Sequence, residues 1–216
     1  MIAYKAFGPG LVCRNYQFEK GRNVTDKAKC AAGGFHCAED PLDCLCYYQW
    51  NGKNEFWIVE AGGDIDEDGV DTRISCTELT TLAKLDEERY LMAAVAYMMQ
   101  HPERTRNKVV DQGPFHVCRD KEPRATGKMN SWILLAREEM GEVREYLIAQ
   151  VDGVKVRAGH EYGMSELREA VQALKRRKNS WHCVRTRKLL LSPAPGRFGQ
   201  QSQRALRRAD TSKVMC

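Results

Sequence analysis

The segment from residue 35 to residue 48 constrains the fold most, because it requires a strand and a helix in close succession. It reads Phe-His-Cys-Ala-Glu-Asp-Pro-Leu-Asp-Cys-Leu-Cys-Tyr-Tyr. Asp40 can accept backbone N–H groups as a helix N-cap, and Pro41 suits the first helical position, where a missing N–H costs nothing. We therefore predict a short helix that begins after Asp40 and continues through Tyr48.

Turn signals flank this segment on both sides. Gly33-Gly34 predicts a turn before the strand at Phe35, and Asn51-Gly52 predicts the turn that ends the helix. Residues 55–60 then read as a buried strand, because they combine aromatic and β-branched side chains. The same criteria predict two further β segments and two further turns, at residues 2–7 and 72–82 and at Gly62-Gly63 and Asp68-Gly69.

The middle of the chain predicts one good helix and then irregular structure. Residues 85–101 have apolar side chains at helical spacing, Asp86 can cap the first turn, and Pro102 helps to end the helix. Residues 103–130 are polar and contain Gly113-Pro114 and Pro123, so we expect an irregular connector there.

The third part predicts a small sheet and a second helix. We expect residues 131–158 to form a three-stranded meander, with Asp152-Gly153 as a type I′ hairpin turn. Ser165 can cap a following helix, in which Leu167, Val171 and Leu174 share one side. From about Lys188 onward, Pro, Gly and Gln argue against a packed core, so a disordered basic tail is expected.

These elements together predict the α+β class: an N-terminal mixed sheet with a short helix, a linking helix, a C-terminal meander with a helix, and a flexible basic tail. The expected organisation has four parts: an N-terminal domain (residues 1–83), a helix and irregular connector (84–130), a C-terminal subdomain (131–186) and the tail (187–216).

The first 83 residues contain several motifs in a characteristic order. Residues 3–7 read Ala-Tyr-Lys-Ala-Phe, residues 13–18 read Cys-Arg-Asn-Tyr-Gln-Phe, and residues 34–43 read Gly-Phe-His-Cys-Ala-Glu-Asp-Pro-Leu-Asp. Together with the turn at Asp68-Gly69, they resemble a domain family of unknown function in phage and prophage proteins. Members of that family begin with Ala-Tyr-Lys-Gly-Phe and contain Gly-Phe-His-Ala-Cys-Glu-Asn-Pro-Leu-Asp. The resemblance implies a phage or prophage origin and implies no reaction.

This chain departs from that family pattern in three places. Ala6 replaces the first Gly, and His36 and Cys37 are adjacent where relatives space them by one residue. Residues 131–162 are similar to the closing segment of the same phage proteins. Relatives often carry repeats rich in small residues between the two ends, and no such repeat is visible here. The resemblance therefore gives no architecture for residues 84–130.

Charge is unevenly distributed along the chain. Residues 168–216 contain 13 Lys or Arg and two acidic residues, a balance of +11, whereas residues 1–167 contain 21 basic and 27 acidic residues, a balance of −6. An acidic body therefore carries a basic C-terminal segment. Cations interleaved with an aromatic residue suit phosphate contact with base stacking, and the same charges could meet an acidic protein surface. The candidate binding residues are Lys175, Arg176, Arg177, Lys178, Trp181, Arg185, Arg187 and Lys188. The plainer alternative is a solvated helix end and a tail without a partner.

Length and cysteine content predict a cytoplasmic protein that needs no disulfides. No segment approaches the roughly 20 apolar residues that span a bilayer, and the N-terminus lacks a signal-peptide pattern. The nine cysteines are an odd number, which favours reduced thiols. A zinc site was weighed for five side chains, Cys30, His36, Cys37, Cys44 and Cys46. Their spacing lacks a Cys-x-x-Cys pair and favours a core role for Cys44, so we expect no metal.

Two enzymatic interpretations compete with binding. A thiol nucleophile could be Cys13, Cys37 or Cys118, with His36 or His116 as base, but sequence proximity supplies no orienting third group. Residues 116–118 read more simply as part of a strand with alternating side chains. Separately, the order of the first elements is faintly similar to ADP-ribosyltransferase folds, which use NAD. On that analogy the candidates are Tyr4, His36 and Glu60.

The sequence hypothesis is therefore an accessory protein of phage or prophage origin that works by binding. Its expected partners are a nucleic acid, a host protein of nucleic-acid metabolism or defence, or both. Inhibition of a host defence protein, that is counter-defence, is one function that such binding would serve. No cofactor and no membrane contact are expected, and an enzymatic role is disfavoured without being excluded. The alternatives are an NAD-dependent ADP-ribosyltransferase and a structural or assembly module. The oligomeric state stays open.

Overall fold

A computed structural model describes residues 1–30, 32–67 and 69–172 of the chain. The N-terminal elements are β1 (Ile2–Phe7), β2 (Val12–Cys13), β3 (Tyr16–Gln17), β4 (Arg22–Val24), β5 (Phe35–Ala38), the 3₁₀ helix η1 (Pro41–Cys46), β6 (Glu55–Glu67) and β7 (Arg73–Lys84). The remaining elements are α1 (Glu87–Gln100), β8 (Val109–Gln112), β9 (Phe115–Asp120), β10 (Arg124–Thr126), β11 (Trp132–Glu139), β12 (Glu142–Gln150), β13 (Glu161–Gly163) and α2 (Met164–Gln172). The architecture confirms the predicted α+β class.

The N-terminal strands form an antiparallel sheet that closes on itself. β1 lies between β5 and β6, while β7 pairs with β5 along one edge and with β6 along the other. β4 pairs antiparallel with residues 78–80 of β7, next to the part of β7 that pairs with β5. Because side chains alternate along each strand, one set points into the closed sheet and the other points out. The interior is filled mainly by aromatic and β-branched side chains, including Phe7, Phe18, Phe35, Trp57, Val59 and Ile74.

Gly62-Gly63 does not form the predicted turn, because β6 continues through it. The register with β7 shifts between Gly62 and Ile65, which is the signature of a β-bulge. Gly63 has φ +68°, and a Cβ at this position would lie 2.1 Å from the Thr77 hydroxyl oxygen. The glycine therefore permits a close approach of two strands, and the sequence signal for a turn marks a bulge instead.

Helix α1 fills the space between the two halves of the described chain. Asp86 caps it as predicted, since its carboxylate accepts the Arg89 N–H at 2.8 Å. Its buried face packs on the outer face of the closed sheet and on β9, β11 and β12. The largest side chains of this shared core are Leu42, Phe56, Tyr90, Leu91, Phe115 and Leu134.

Residues 103–130 are not the irregular connector that the sequence predicted, because they contain β8, β9 and β10. Phe115 and Val117 of β9 both point into the shared core. Their burial stabilises the strand even though the segment as a whole is polar. β9 then pairs in parallel with β11, so the C-terminal sheet has the order β12-β11-β9-β8. The first two strands of the predicted meander, β11 and β12, do pair antiparallel.

The predicted three-stranded meander is wrong in its third strand. The Asp152 carboxylate accepts the N–H groups of Val154, Lys155 and Val156 at 2.9, 2.7 and 3.1 Å, so these residues form a side-chain-stabilised loop. The strand that follows is β13, which pairs with β10. In α2, Leu167 of the predicted apolar face is fully buried against β11 and β12 residues, whereas Val171 is exposed and Leu174 lies outside the described residues.

Replacing Leu91 by Ala tests the shared core. Leu91 is 0 % exposed, so Leu91→Ala should lower the free energy of unfolding by about 2–5 kcal/mol through lost burial and a residual cavity. Met99, which lies on the same helix and is 53 % exposed, provides the control, and Met99→Ala should change it by less than about 0.5 kcal/mol. Urea unfolding followed by tryptophan fluorescence measures both, and equal effects would contradict the packing described.

Candidate functional site: a cationic pocket beside a buried carboxylate

The Asp-Pro-Leu-Asp motif begins η1 as the sequence predicts. The Asp40 carboxylate accepts the Leu42 N–H at 2.9 Å, and Pro41 occupies the first turn. The helix differs from the prediction in type and length, because it is a 3₁₀ helix that ends at Cys46 and not at Tyr48. The Tyr90 hydroxyl donates to the Pro41 carbonyl, which fixes η1 to α1.

Asp43 ties the motif to two distant segments. Its side chain is fully buried and accepts the Thr72 N–H at 3.0 Å and the Thr72 hydroxyl at 2.8 Å. It also accepts the Asn107 amide N–H at 2.9 Å and lies 3.3 Å from the Arg106 guanidinium. The carboxylate is thus paired with a cation and with several N–H and O–H donors, as a buried charge requires. The motif therefore has a structural role that the sequence did not reveal.

Asp40 lies next to this cluster and is itself buried. Its second carboxylate oxygen accepts the Asn107 amide at 2.6 Å. Burial raises the pKa of Asp40 to about 6, against the lowering effect of its hydrogen bonds. The neighbouring Asp43 carboxylate also acts to raise this pKa. Asp40 therefore titrates in the folded protein well above an exposed aspartate.

A pocket of about 740 Å³ opens on the other side of the same motif, at the mouth of the closed sheet. Its floor and walls come from β1, β5, η1 and the segment around β2 and β3. The side chains that matter for its chemistry are cationic, aromatic or thiol groups, namely Lys5, Arg14, Arg73, Tyr16, Phe18, Phe35, His36, Tyr48 and Cys13. We call this space the sheet pocket.

Lys5 is the most unusual residue of the sheet pocket. It lies between Ala3 and Phe7 on β1, at a position that points into the apolar interior, and is only 4 % exposed. Its ammonium donates to the His36 carbonyl at 2.6 Å and approaches the Cys13 sulfur at 3.7 Å. The rings of Phe7 and Phe18 lie 5.1 Å away, at cation–π distance. None of the ion pairs found among the described residues involves Lys5.

The lining of the sheet pocket carries a single sign of charge. Lys5, Arg14 and Arg73 are cationic, and the described residues that line the space include no Asp or Glu. The Arg73 guanidinium lies 5.3 Å from the centroid of the Tyr47 ring. This lining contrasts with the acidic balance of residues 1–167.

Cys13 lies at the edge of the pocket and is partly exposed. Its sulfur accepts the Tyr48 hydroxyl at 3.1 Å. Burial, together with this hydrogen bond to the thiol, raises the pKa of Tyr48. The hydroxyl therefore stays protonated and serves as a donor at neutral pH.

The five side chains weighed as zinc ligands do not converge. Cys37 points into the closed sheet and Cys44 packs on its outer face, while Cys46 is exposed. A hydrogen bond to the Cys76 thiol, together with burial, raises the pKa of Cys37, which keeps this thiol protonated. Within the described ranges, no group of three His, Cys, Asp or Glu side chains has the arrangement of a metal site.

The candidates for thiol chemistry are separated in the same way. Cys13, Cys37 and His36 all line the sheet pocket, but Cys37 is buried. Cys118 lies on β9 two residues from His116, and residues 115–120 form the strand that the plainer interpretation expects. The His116 ring nitrogen Nδ1 contacts the Asp111 carboxylate at 2.8 Å across the strand pair.

The residues suggested by the ADP-ribosyltransferase analogy are only partly brought together. Tyr4 and His36 both line the sheet pocket. Glu60 lies on β6 opposite Ile2 of β1, is exposed to solvent and is not among the residues that line the pocket. The sequence missed Lys5, whose only signal was a lysine in an otherwise apolar strand. The eight candidate residues of the basic segment, from Lys175 to Lys188, lie outside the described residues.

Comparison with known proteins gives a match for the N-terminal part only. Residues 1–93 match the model of a family described as a domain of unknown function, DUF7666. The match covers the closed sheet, η1 and the first half of α1, and it confirms the expected domain of unknown function. No curated protein and no solved structure matches the chain significantly. Along the described part of the chain, no helix combines the length and apolar character needed to span a membrane.

The high pKa of Asp40 predicts a specific pH dependence of stability. Because its folded pKa of about 6 exceeds the ordinary aspartate pKa of 3.8, the folded state holds this proton more tightly than the unfolded chain does. The stabilisation from Asp40 is complete below pH 4 and is lost as the pH rises to about 6, by up to about 3 kcal/mol. Urea unfolding from pH 4 to 7 should show this loss relative to Asp40→Asn, whose amide oxygen can still cap η1. Parallel pH curves for the two proteins would contradict it.

Proposed function

We propose that the protein acts by binding a nucleic acid through its basic C-terminal segment, residues 168–216. The observation that carries this proposal is the segregation of charge, +11 in that segment against −6 in residues 1–167. Phosphate contacts by Lys and Arg release condensed counterions, so a segment with this excess binds polyanions in a salt-dependent way. Trp181 among the cations favours a nucleic acid, because its ring can stack on a base.

The described part of the chain supports this proposal at the start of the basic segment. Leu167 anchors α2 by complete burial, and Arg168 of the same helix pairs with Glu145 of β12. The run that begins at Lys175 follows the end of α2 by three residues. The basic segment is therefore attached to a packed helix of an acidic body.

The biological setting is also a proposal. The motifs of residues 1–83 resemble phage and prophage proteins, and on that ground the proposed partner is host nucleic acid or the host machinery that works on it. Counter-defence is the specific role that such a cytoplasmic accessory protein would serve. An acidic host protein is the competing partner, because the same cations would meet its surface.

Charge reversal in the first basic run tests the nucleic-acid contact. The variant with Glu at Lys175, Arg176, Arg177 and Lys178 should bind a fluorescent single-stranded oligonucleotide at least tenfold more weakly. Its plot of log affinity against log salt should be shallower by about 0.7 for each lost phosphate contact. Fluorescence anisotropy at several salt concentrations measures both quantities.

A matched control separates this contact from general charge effects. It reverses four exposed lysines of the body, at Lys20, Lys53, Lys121 and Lys128. This control should lower affinity much less than the variant in the basic run. Equal losses in both, or unchanged binding in the basic-run variant, would overturn the proposed contact.

An affinity pull-down from bacterial lysate distinguishes the partners. Retained nucleic acid that is lost on nuclease treatment supports the proposal. One or a few host proteins that remain bound after nuclease treatment, without bound nucleic acid, would replace it with a protein-directed adaptor or inhibitor. A defined oligomer with no other ligand would favour a structural module.

A further inference from the structure

The sheet pocket carries an uncompensated buried cation. The hydrogen bonds of the described residues account for two of the three N–H groups of Lys5, and one of these bonds is to sulfur, a weak acceptor. Burying an ammonium without a counter-charge is unfavourable, and two aromatic rings offset only part of that cost. An oxyanion at this position would supply the missing charged partner.

Other parts of the pocket favour an anion that also carries a ring. Arg14 is exposed at the mouth and adds a second cation. Tyr16 lines the same space, is 42 % exposed, and packs on Phe18 in a T-shaped arrangement and on Phe35 in a tilted one, with ring centroids 4.7 and 5.0 Å apart. A tyrosine ring that is held by aromatic neighbours and still partly exposed is suited to stack on a planar group.

The size and placement of the pocket agree with a small-molecule ligand. Its volume of about 740 Å³ falls within the range of pockets that enclose small organic ligands. The walls combine β1 and β5 with η1 and with the segment around β2 and β3, so the site is built from several parts of the N-terminal domain and not from one loop. The polar groups are few and face an aromatic wall, which is the usual composition of such sites.

We infer that the sheet pocket binds a small organic anion that carries a planar ring, of the nucleoside monophosphate class, with Lys5 and Arg14 facing the anionic group and Tyr16 stacking on the ring. This site is distinct from the basic C-terminal segment and does not depend on the function proposed for it. Cys13 lies at its edge, so an occupied pocket covers this thiol.

Protection of Cys13 provides the first test. The full-length protein is alkylated with iodoacetamide, with and without millimolar AMP, and labelling of each cysteine is followed by mass spectrometry. AMP should slow alkylation of Cys13 at least fivefold and leave the exposed Cys46 unchanged. Adenosine and inorganic phosphate, which are the two halves of the probe, should each protect less. Unchanged labelling of Cys13 in the presence of AMP would overturn the inference.

Variants assign the binding to the named residues. By titration calorimetry, Lys5→Met should weaken AMP binding at least tenfold, because it keeps the apolar stem and removes the charge. Lys5 is buried, so Lys5→Met can alter folding as well as binding. Two variants at exposed positions, Arg14→Gln and Tyr16→Leu, avoid this problem, and each should weaken AMP binding at least threefold. Arg144→Gln, an exposed residue of β12, is the control and should bind as the wild type does. Wild-type affinity in both Arg14→Gln and Tyr16→Leu would overturn the site.

The charge-reversal variant of the basic run separates the two proposals. It should retain AMP protection of Cys13 even where oligonucleotide binding is lost. Loss of protection in that variant would mean that AMP binds the basic segment, and it would overturn the pocket assignment. In the wild type, protection by AMP but not by an oligonucleotide with a 5′-phosphate identifies a free nucleotide as the ligand. Equal protection by AMP and by the oligonucleotide identifies the 5′-phosphorylated end of a strand as a ligand. Either result supports recognition of a phosphate together with a planar base.

Discussion

The buried carboxylate of Asp43 is the interaction on which the arrangement of the described residues depends. It joins η1 to the turn before β7 through Thr72, and to the segment before β8 through Arg106 and Asn107. These partners come from both halves of the described chain. A buried charge is stabilising only when all of its partners are in place, so this one carboxylate links three segments that are far apart in sequence. The shared core around α1 then adds the apolar contacts.

Charge in this protein is sorted on two scales. Along the sequence, basic residues accumulate after residue 167 and acidic residues before it. Within the acidic part, the sheet pocket gathers Lys5, Arg14 and Arg73 around one space. The order of residues in the sequence reveals the basic C-terminal segment but not the cationic pocket, because Arg14 and Arg73 are separated by 59 positions of chain. The pairing of β1, β5 and β7 brings Lys5 and Arg73 together, and the turn between β2 and β3 adds Arg14.

Local signals predicted the elements that depend on local physics. The Asp40 cap, the Asp86 cap and strand β1 follow from residue types and short-range patterns, and all three are present. Strand β9 was expected only at residues 116–118, inside a segment otherwise predicted to be irregular, because its burial comes from α1 and β11 and not from its own neighbours. The loop after Asp152 was mistaken for a hairpin turn, since the same Asp-Gly pair suits either a turn or a side-chain-capped loop. Lys5 could not be identified from the sequence, because its burial depends on closure of the sheet.

Closure of the N-terminal sheet also sets an order of assembly during synthesis. β1 leaves the ribosome before its hydrogen-bonding partners β5 and β6, and the ring is complete only when β7 pairs with both β5 and β6. The Met1 amino group even donates to the Ala61 carbonyl, across 60 positions of chain. Such long-range pairing is slow to form and leaves strand edges unpaired until it is complete. The opening strand, which carries Lys5, must therefore wait for residue 84 before the pocket around it can exist.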